Sequence, residues 1–266
     1  MTVPSYTSRP AVSDGFEWTE ESWGAALRCR PLTAVAPHLF TTRQLELSSP
    51  DHVRDLAHAV GARDVAMIHQ VHGKEVIVVR RGSPVPHPRP KADALVSDSV
   101  DVAIAARAAD CVPLLMADRS RGVVAAVHAG WRGTVARVAV AAVDALKREF
   151  GSQPQDLIVA IGPSIGACCY EVGSELVDAF AAAGHERYLI ERWFSSPPPP
   201  RGSSDRSALT LDVARSNADQ LILAGVPEDQ IFLSGLCTAM HLEVLTSYRK
   251  EKEKAGRIAG VIRAKA

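Results

Sequence analysis

Three residues whose side chains bind metals or act as nucleophiles and bases, His72, Cys111 and His128, lie at the ends of predicted strands. In a first interpretation, the two imidazoles and the thiolate bind one zinc ion. Such a set leaves a fourth position open for water or substrate, which is typical of a catalytic zinc site. The spacing is not that of a contiguous metal-binding motif, so the pattern alone leaves other interpretations open.

Two other interpretations involve the same residues. Cys111 is a nucleophile whose pKa is lowered by the imidazole of His128, and His128 is its base. Alternatively, Cys111 is a small core residue and the histidines are satisfied by hydrogen bonds. All three lie beside Gly, Asp or Pro at predicted strand ends, and this placement favours a functional site.

Several charged residues are candidates for roles around this site. Arg132 can hold an anion, or it stacks on the neighbouring Trp131 indole. Asp110 can orient a ligand or activate water, or it stabilises a turn. Arg43 and Arg249 are candidates for reaching a phosphate, although most arginines are solvated.

The remaining cysteines admit simpler interpretations. Cys168 and Cys169 are adjacent in a loop with two glycines, where they form a redox-active pair or are merely buried neighbours, and the second is favoured. Cys237 is predicted to be a core residue.

The elements that position the three central residues lie within residues 109–134. Residues 112–116 and 123–127 are unbroken apolar runs bounded by turn residues, which favours buried strands over an amphipathic helix. A compact turn joins them. The pair is therefore expected to bring Cys111 and His128 to the same end of a sheet.

The sequence changes character after this strand pair, at residues 130–134. Thr134 is predicted to cap the helix that follows. The backbone N–H groups there, together with Arg132, would form a place for an anion.

Periodicity and turn residues predict the other elements. Strands are predicted twice within 25–42, on both sides of a turn at 72–74 within 65–79, as a pair over 92–98 and 102–107, and at 157–161, 230–236 and 260–263. Helices are predicted over 50–61, 135–150, 173–183 and 211–224. Residues 1–22 predict a loose arm or an early edge element, and residues 195–207 predict a mobile surface loop.

Composition restricts the class of protein. The chain has 266 residues, of which 47% are hydrophobic, so it can bury a core as one large domain or two joined halves. Lys and Arg together number 30, as do Asp and Glu, and this balance disfavours a nucleic-acid partner. No apolar run approaches the roughly 20 residues of a membrane span. The five cysteines and the lack of a signal peptide pattern predict a reduced, cytoplasmic protein.

Several motifs, taken in order, resemble the YfiH-like laccase-domain family. They are H-Q-V-H-G at 69–73, A-D-A-L-V at 92–96, A-D-C-V-P-L-L at 109–115, A-V-H-A-G-W-R-G-T at 126–134 and G-P-S-I-G-A-C-C-Y at 162–170. The resemblance extends over roughly residues 33–263. It implies an α+β (mixed α/β) fold, a four-layer α/β/β/α sandwich with two mixed sheets. We accordingly expect an N-terminal arm over 1–24 and a single laccase-domain-like domain over 25–266.

The resemblance also implies a site and a reaction. The metal ligands of the family fall on His72, Cys111 and His128, and the expected ion is Zn²⁺, with copper as the alternative. The family was formerly labelled multicopper polyphenol oxidase and is now regarded as purine nucleoside phosphorylase, with adenosine deaminase activity also attributed to it. The implied partners are a purine nucleoside and phosphate, and a monomer and a homodimer both remain open. Asp110 is a further catalytic candidate, and Arg132, Arg43 and Gln70 are substrate-binding candidates.

This sequence departs from the family pattern between Arg43 and His69. The Gly-Gly-x-Ser, Leu-Asn-Leu and Asn-Arg stretches of the family are missing, and this segment is shortened. If a phosphate or base contact of the family lies there, this chain replaces it in another way.

Three rival functions use other chemistry. A copper-dependent phenol oxidase needs about ten histidines in paired H-x-H sets, and this chain has nine, none so arranged. A metal-free cysteine hydrolase would use Cys111 and His128. A non-enzymatic binding module would show no turnover.

Overall fold

The computed structural model describes residues 9–45, 47, 49–195 and 209–265. The predicted surface loop at 195–207 therefore lies outside the described residues except for Ser195, as does most of the predicted arm's first half. Strands are β1 (Phe16–Glu21), β2 (Gly24–Cys29), β3 (His38–Thr41), β4 (Asp64–Ala66), β5 (Val76–Val79), β6 (Ala94–Ser97), β7 (Val102–Ala108), β8 (Val112–Asp118), β9 (Val124–Ala129), β10 (Leu157–Ile161), β11 (Glu171–Val172), β12 (Phe194–Ser195), β13 (Leu209–Leu211), β14 (Ile231–Leu233) and β15 (Ile258–Ile262). Helices are α1 (Arg30–Thr33), α2 (Pro50–Ala59), α3 (Trp131–Val135), α4 (Val138–Phe150), α5 (Ser174–Ala182), α6 (Arg187–Trp193), α7 (Val213–Leu223) and α8 (Tyr248–Glu251).

Two six-stranded sheets form the centre of the molecule. The first has the order β1-β2-β3-β15-β7-β4 and the second β14-β10-β8-β9-β6-β5. Both sheets are mixed. In the first sheet, β4 and β7 are parallel, and in the second sheet the pairs β10–β14 and β5–β6 are parallel. The other pairs in both sheets are antiparallel. The mixed α/β fold with two large sheets confirms the fold class expected from the sequence.

The order of the layers follows from which side chains pack together. Leu115 and Ala126 of the second sheet share a core with Ile104 of the first, so the two sheets face one another. On the other face of the second sheet, alternate residues such as Leu114 pack against α4, α5, α6 and α7. On the other face of the first sheet, Ala105 packs against α2. Because both faces of each sheet are covered, the central strands β7, β8 and β9 are mostly apolar.

The long connection after β4 departs from the predicted strand pair. The sequence predicts two strands meeting at a turn at residues 72–74, but β4 belongs to the first sheet and β5 to the second. Residues 67–75 therefore cross between the sheets. The same holds for the predicted pair over 92–98 and 102–107, since β6 and β7 also lie in different sheets. Periodicity finds the strands but does not reveal their partners.

A further prediction about elements is changed by the structure. Thr134 does not cap a helix: α3 begins at Trp131 with Gly130 as its N-cap, and the Thr134 hydroxyl donates to the Gly130 carbonyl at 3.0 Å inside that helix. Residues 16–21 form the edge strand β1, paired with β2, which agrees with the early edge element that was one of the two alternatives for residues 1–22. Among the described residues, no helix combines the length and apolar character needed to cross a membrane.

Phe40 packs against two glycines, Gly162 directly after β10 of the second sheet and Gly260 on the neighbouring strand β15 of its own sheet. A Cβ atom added at Gly162 would lie 2.3 Å from Cε1 of Phe40, and one added at Gly260 would lie 2.9 Å from it. Phe40 is fully buried. The ring therefore occupies the space that a side chain at either glycine would need.

We expect Gly162→Ala to lower the free energy of unfolding by about 1–3 kcal/mol, the usual cost of overpacking a dense core. Gly256→Ala is the matched control, because its nearest neighbour would be 3.9 Å away. The measurement is urea unfolding of both variants. Equal stability of the two would show that the ring moves aside freely.

Candidate metal centre

His72, Cys111 and His128 converge at one end of the second sheet. Their ligand atoms all lie within 4.8 Å of one another, and Cys111 Sγ is 3.8 Å from His72 Nε2. The imidazole rings of His72 and His128 meet edge to face, with centroids 4.9 Å apart. The three residues form a group that can hold a metal ion.

Two of the three side chains are brought together by one strand pair. β8 and β9 are antiparallel with Val112 opposite Ala129, so Cys111, which precedes β8, lies beside His128 near the end of β9. This pairing confirms the hairpin predicted from the apolar runs. His72 arrives from the connection between the sheets, with a positive φ of 61°.

Gly130 leaves the space in which these side chains meet. A Cβ atom there would lie 2.8 Å from Cδ2 of His72 and 2.9 Å from Sγ of Cys111. Any larger residue would push the histidine and the thiol out of place.

Asp93, which is buried directly before β6, orients both histidines. Its carboxylate is 2.9 Å from Nδ1 of His128 and accepts the backbone N–H groups of Val71, His72 and Gly73 at 3.2, 2.9 and 2.6 Å. Because Nδ1 of His128 faces this carboxylate, Nε2 is the nitrogen available to a metal. Asp93 lies in the A-D-A-L-V motif at 92–96, but nothing in the sequence assigned it a role, and its membership of that motif was the available signal.

The electrostatics of the group favour a thiolate. Burial raises the pKa of the Cys111 thiol, but its hydrogen bonds with His128 and His72, and their charges, lower it from 9.0 to about 6. Burial lowers the pKa of His128, yet its hydrogen bonds with Asp93 and Cys111 raise it to about 9. Without a metal, the pair is therefore a thiolate and an imidazolium near pH 7, and metal binding displaces the proton of His128.

A cavity of about 960 Å³ opens in front of these ligands. Ligand-binding cavities commonly range from about 300 to 1,000 Å³, so this one can enclose a small molecule. Besides the three ligands, its walls include residues of several types: Leu47, His69, Gln70, Arg107, Ala108, Ala109, Tyr248, Glu253, Ala255, Gly256 and Arg257.

Arg107, at the wall of this cavity, is a functional candidate that sequence analysis missed. Its Nε is buried and has no hydrogen-bond partner within the described part of the chain. Burial, and then the positive charges of Arg89 and Arg257, lower the pKa of Arg107. A buried N–H that lies near other cations, on a side chain with no ion pair among the described residues, is a candidate for binding an anion. Arg107 is the one charged residue of the otherwise apolar strand β7, and this was the signal that the sequence offered.

Asp110 and Gln70 hold the walls of the site together. Asp110 is buried, and its two oxygens accept hydrogen bonds from Thr238 Oγ1 and the Arg249 backbone N–H, each at 2.6 Å. The Gln70 amide donates to the Arg107 carbonyl at 2.7 Å and accepts from the Arg107 N–H at 2.9 Å. Their polar groups are thus engaged with the protein, although Gln70 also lines the cavity.

The two arginines proposed for phosphate binding do not line the cavity of about 960 Å³. Arg43 pairs with Glu251 at 2.9 Å and donates to the carbonyls of Leu242 and Leu245, and it does not line the cavity of the three ligands. Arg132 stacks on Trp131 with its guanidinium 4.3 Å from the ring centroid, the alternative considered for it from sequence. It lines a neighbouring cavity of about 320 Å³ that also reaches Cys111.

The comparisons with known proteins place the chain in a family. A family model described as multi-copper polyphenol oxidoreductase laccase matches residues 46–265. This match covers most of the chain, and the protein belongs to that family. The resemblance suggested by the sequence motifs is thereby confirmed.

Curated relatives of this chain carry the name purine nucleoside phosphorylase. That of Deinococcus radiodurans is 33% identical over 259 residues, which cover 90% of this chain and 93% of the relative. That of Synechocystis sp. is 30% identical over 261 residues, covering 94% and 97%. That of Bacteroides thetaiotaomicron is 34% identical over 166 residues, and the match spans 62% of this chain and 58% of that protein.

Solved structures show the same fold. The structure of the hypothetical protein YfiH of Bacillus licheniformis has a TM-score of 0.79 at 25% identity and covers 90% of this chain and 96% of that one. The structure of YlmD from Geobacillus stearothermophilus has a TM-score of 0.77 at 28% identity and covers 94% and 99%.

We expect Cys111 in chelator-treated protein to react with an alkylating reagent along a curve whose midpoint is near pH 6, because the thiolate is the reactive form. Burial first of all raises the pKa of Cys29 to about 11 and that of Cys168 to about 12, so both thiols stay protonated there. The measurement is site-resolved labelling by mass spectrometry between pH 4 and pH 10.

His128→Asn removes the main group that lowers this pKa, and the midpoint for Cys111 should move upwards. His69→Asn is the control, because His69 lines the same cavity but does not act on the thiol. An unchanged midpoint in His128→Asn would contradict the proposed thiolate–imidazolium pair.

Proposed function

We propose that this protein is a zinc-dependent purine nucleoside phosphorylase that converts adenosine, inosine or guanosine and phosphate into the free base and ribose 1-phosphate. One observation carries the proposal: the open ligand group of His72, Cys111 and His128 faces the same cavity as Arg107, whose buried Nε has no hydrogen-bond partner among the described residues. The names of the relatives support the choice of reaction.

The donor set fits zinc. Two imidazole nitrogens and one thiolate sulfur are ligands that Zn²⁺ takes in catalytic sites, and the cavity leaves the fourth position open. His72, Cys111 and His128 would hold the ion. When bound there, it would supply a Lewis acid that polarises an oxygen of the substrate.

Arg107 and Arg257 are our candidates for holding the phosphate. Both line the cavity, and the described residues place no carboxylate in an ion pair with either. An anion between them would relieve the repulsion that acts on Arg107 and would satisfy its buried Nε. Arg107 and Arg257 line the larger cavity with all three metal ligands, whereas Arg132 lines the smaller neighbouring cavity with His72 and Cys111.

Tyr248 is our candidate for holding the purine. It lies at the cavity wall at the start of α8, is 44% exposed, and its hydroxyl donates to Glu253 at 2.9 Å. The hydrogen bond fixes the ring, and an aromatic face can stack on a purine. The cavity then has an anion site and a stacking surface around one ligand group.

The reaction requires both reactants to be held in line. A phosphate oxygen forms a bond to C1′ of the ribose while the bond from C1′ to the purine nitrogen breaks, and the purine takes the electron pair and then a proton. Positioning a nucleophile against a bound substrate is among the largest contributions that a protein makes to such a step. Arg107 and Arg257 supply that positioning in our proposal.

A second candidate function rests on the hydrogen-bonded series Cys111, His128 and Asp93. The lowered pKa of Cys111, the proximity of His128 and the 2.9 Å contact of His128 with Asp93 are the arrangement of a cysteine nucleophile, its base and an orienting carboxylate. A metal-free hydrolase would use these residues without zinc. The metal content of the protein separates the two functions.

The decisive experiment measures release of free base from adenosine, inosine and guanosine by metal-quantified protein, with and without phosphate. We expect release that requires phosphate, accompanies one zinc per chain and is lost in Cys111→Ala, because the thiolate is the only sulfur ligand of the group. Cys168→Ala is the control, since it removes an exposed thiol outside this group.

Other outcomes contradict the proposal in distinct ways. Inosine formed from adenosine without phosphate would show deamination at this site instead. Protein without metal whose Cys111 becomes covalently modified during turnover would favour the cysteine hydrolase. Copper in the purified protein, with oxidation of a phenol, would restore the function that the family description names.

We expect Arg107→Gln to raise the KM for phosphate by about 10- to 100-fold, since a hydrogen bond to a charged group contributes about 1.5–3 kcal/mol. The KM for the nucleoside should change much less. Steady-state kinetics with either substrate varied provide the measurement.

Arg132→Gln and Arg43→Gln serve as matched controls. Arg132 is stacked on Trp131 and Arg43 is paired with Glu251, so neither change should affect phosphate in this way. A large rise in the KM for phosphate in either control, with Arg107→Gln unaffected, would return the anion site to the residues chosen from sequence.

A further inference from the structure

Three thiols outside the candidate metal centre form a second cluster. The Sγ atoms of Cys168, Cys169 and Cys237 all lie within 4.8 Å of one another, and those of Cys168 and Cys169 are 3.5 Å apart. No disulfide joins them, since all three cysteines are free. The proposed reaction makes no use of these groups.

The sulfur separations match coordination of one ion. A disulfide would need sulfur atoms about 2.05 Å apart. Three sulfurs bound to one trigonal ion at about 2.3 Å stand about 4 Å from each other. The observed distances lie around this value, so one ion between the sulfurs needs only small rotations of the side chains.

The surrounding backbone is built around the sulfurs. The N–H of Gly166 donates to Cys237 Sγ at 3.3 Å, and a Cβ atom at Gly166 would stand 3.4 Å from Cys168 Sγ. Cys237 is buried, Cys169 is half-buried and Cys168 is exposed, so the cluster has a fixed base and an open side. The positive charge of Lys250 acts on Cys169 and offsets part of the negative charge of bound thiolates.

The composition of the cluster selects the kind of ion. Thiolates favour soft cations such as Cu(I) and zinc. Structural zinc almost always takes four protein ligands. Among the described residues, no fourth Cys, His, Asp or Glu completes this cluster. A monovalent soft ion with three ligands therefore fits better than zinc.

We propose that Cys168, Cys169 and Cys237 form a second metal site that binds one Cu(I) ion through three thiolates. Binding forms three sulfur–copper bonds and breaks three sulfur–hydrogen bonds, and the protons pass to solvent. The ion enters and remains as Cu(I), so no oxidant or reductant takes part.

The new site adjoins the candidate metal centre. Asp110, next to Cys111, accepts the hydroxyl of Thr238, next to Cys237. The backbone carbonyl of Asp110 also accepts a hydrogen bond from the N–H of Ile165, which precedes Gly166. A bound ion would therefore fix two loops that also support Asp110.

The test uses the full chain with Cys111→Ala, which removes the thiolate of the first centre. The protein is titrated with Cu(I) under anaerobic, reducing conditions against a coloured Cu(I) chelator, and X-ray absorption counts the sulfur ligands. We expect one Cu(I) per chain with three sulfurs at about 2.3 Å, near the length of a metal–thiolate bond.

Adding Cys168→Ser should weaken Cu(I) binding by more than about a hundredfold, beyond the effect of losing an outer contact. Adding Cys29→Ala is the matched control, because Cys29 is a free thiol far from the cluster in the core between the sheets, and binding should not change. Thermal unfolding verifies that each variant is folded, and the exposed position of Cys168 makes its serine variant mild.

Several results would overturn the proposal. These are no Cu(I) bound by the Cys111→Ala chain, unchanged affinity after Cys168→Ser, fewer than three sulfurs in the absorption spectrum, or a folded chain that takes Zn²⁺ at this cluster in preference to Cu(I). Activity is not needed for any of these measurements, so the outcome is independent of the proposed phosphorylase.

Discussion

The buried carboxylate of Asp93 is the contact on which the candidate metal centre depends. It binds Nδ1 of His128 and the backbone N–H groups of residues 71–73, so one side chain fixes a strand residue and a loop residue together. The loop holds His72 at a positive φ, which is uncommon for a residue with a side chain. These hydrogen bonds compensate for that conformation, and they lower the pKa of Asp93 although burial alone would raise it. Removing the carboxylate would release both histidines.

The two-sheet architecture explains why the centre is open on one side. The ligands lie where β8 begins and β9 ends and where the chain crosses from the first sheet to the second, and the apolar core between the sheets stops there. Gly130 keeps the meeting point of the side chains free, while Gln70 ties the crossing segment to β7 through the backbone of Arg107. The hydrogen bonds between the Gln70 amide and the Arg107 backbone hold the crossing segment on β7. They thereby keep Arg107 at the wall of the cavity that the metal ligands line.

The thiol groups of this protein behave differently because their surroundings differ. Cys111 lies among imidazoles, which lower its pKa to about 6, whereas Cys168 is surrounded by other thiols and protein atoms that raise its pKa to about 12. One sulfur is prepared as a thiolate, and the other remains protonated until a cation replaces its proton. Two chemically distinct sites therefore lie on adjoining loops.

The sequence by itself determined most of the longer strands and helices and the types of residue at the centre, although it did not predict α6 or the short strands β11 to β13. The apolar runs before and after the turn at 118–122 predicted the β8–β9 pair, and the motifs around Cys111 and His128 predicted the ligand group. Only the tertiary structure decided how the strands other than β8 and β9 pair, that residues 67–75 cross between sheets, and that Arg107 rather than Arg43 faces the cavity. The reason is physical: a strand buried on both faces is uniformly apolar, so its residues carry no signal for the partner strand. The direction of an arginine is set by neighbours that are distant in the chain, and periodicity does not record them.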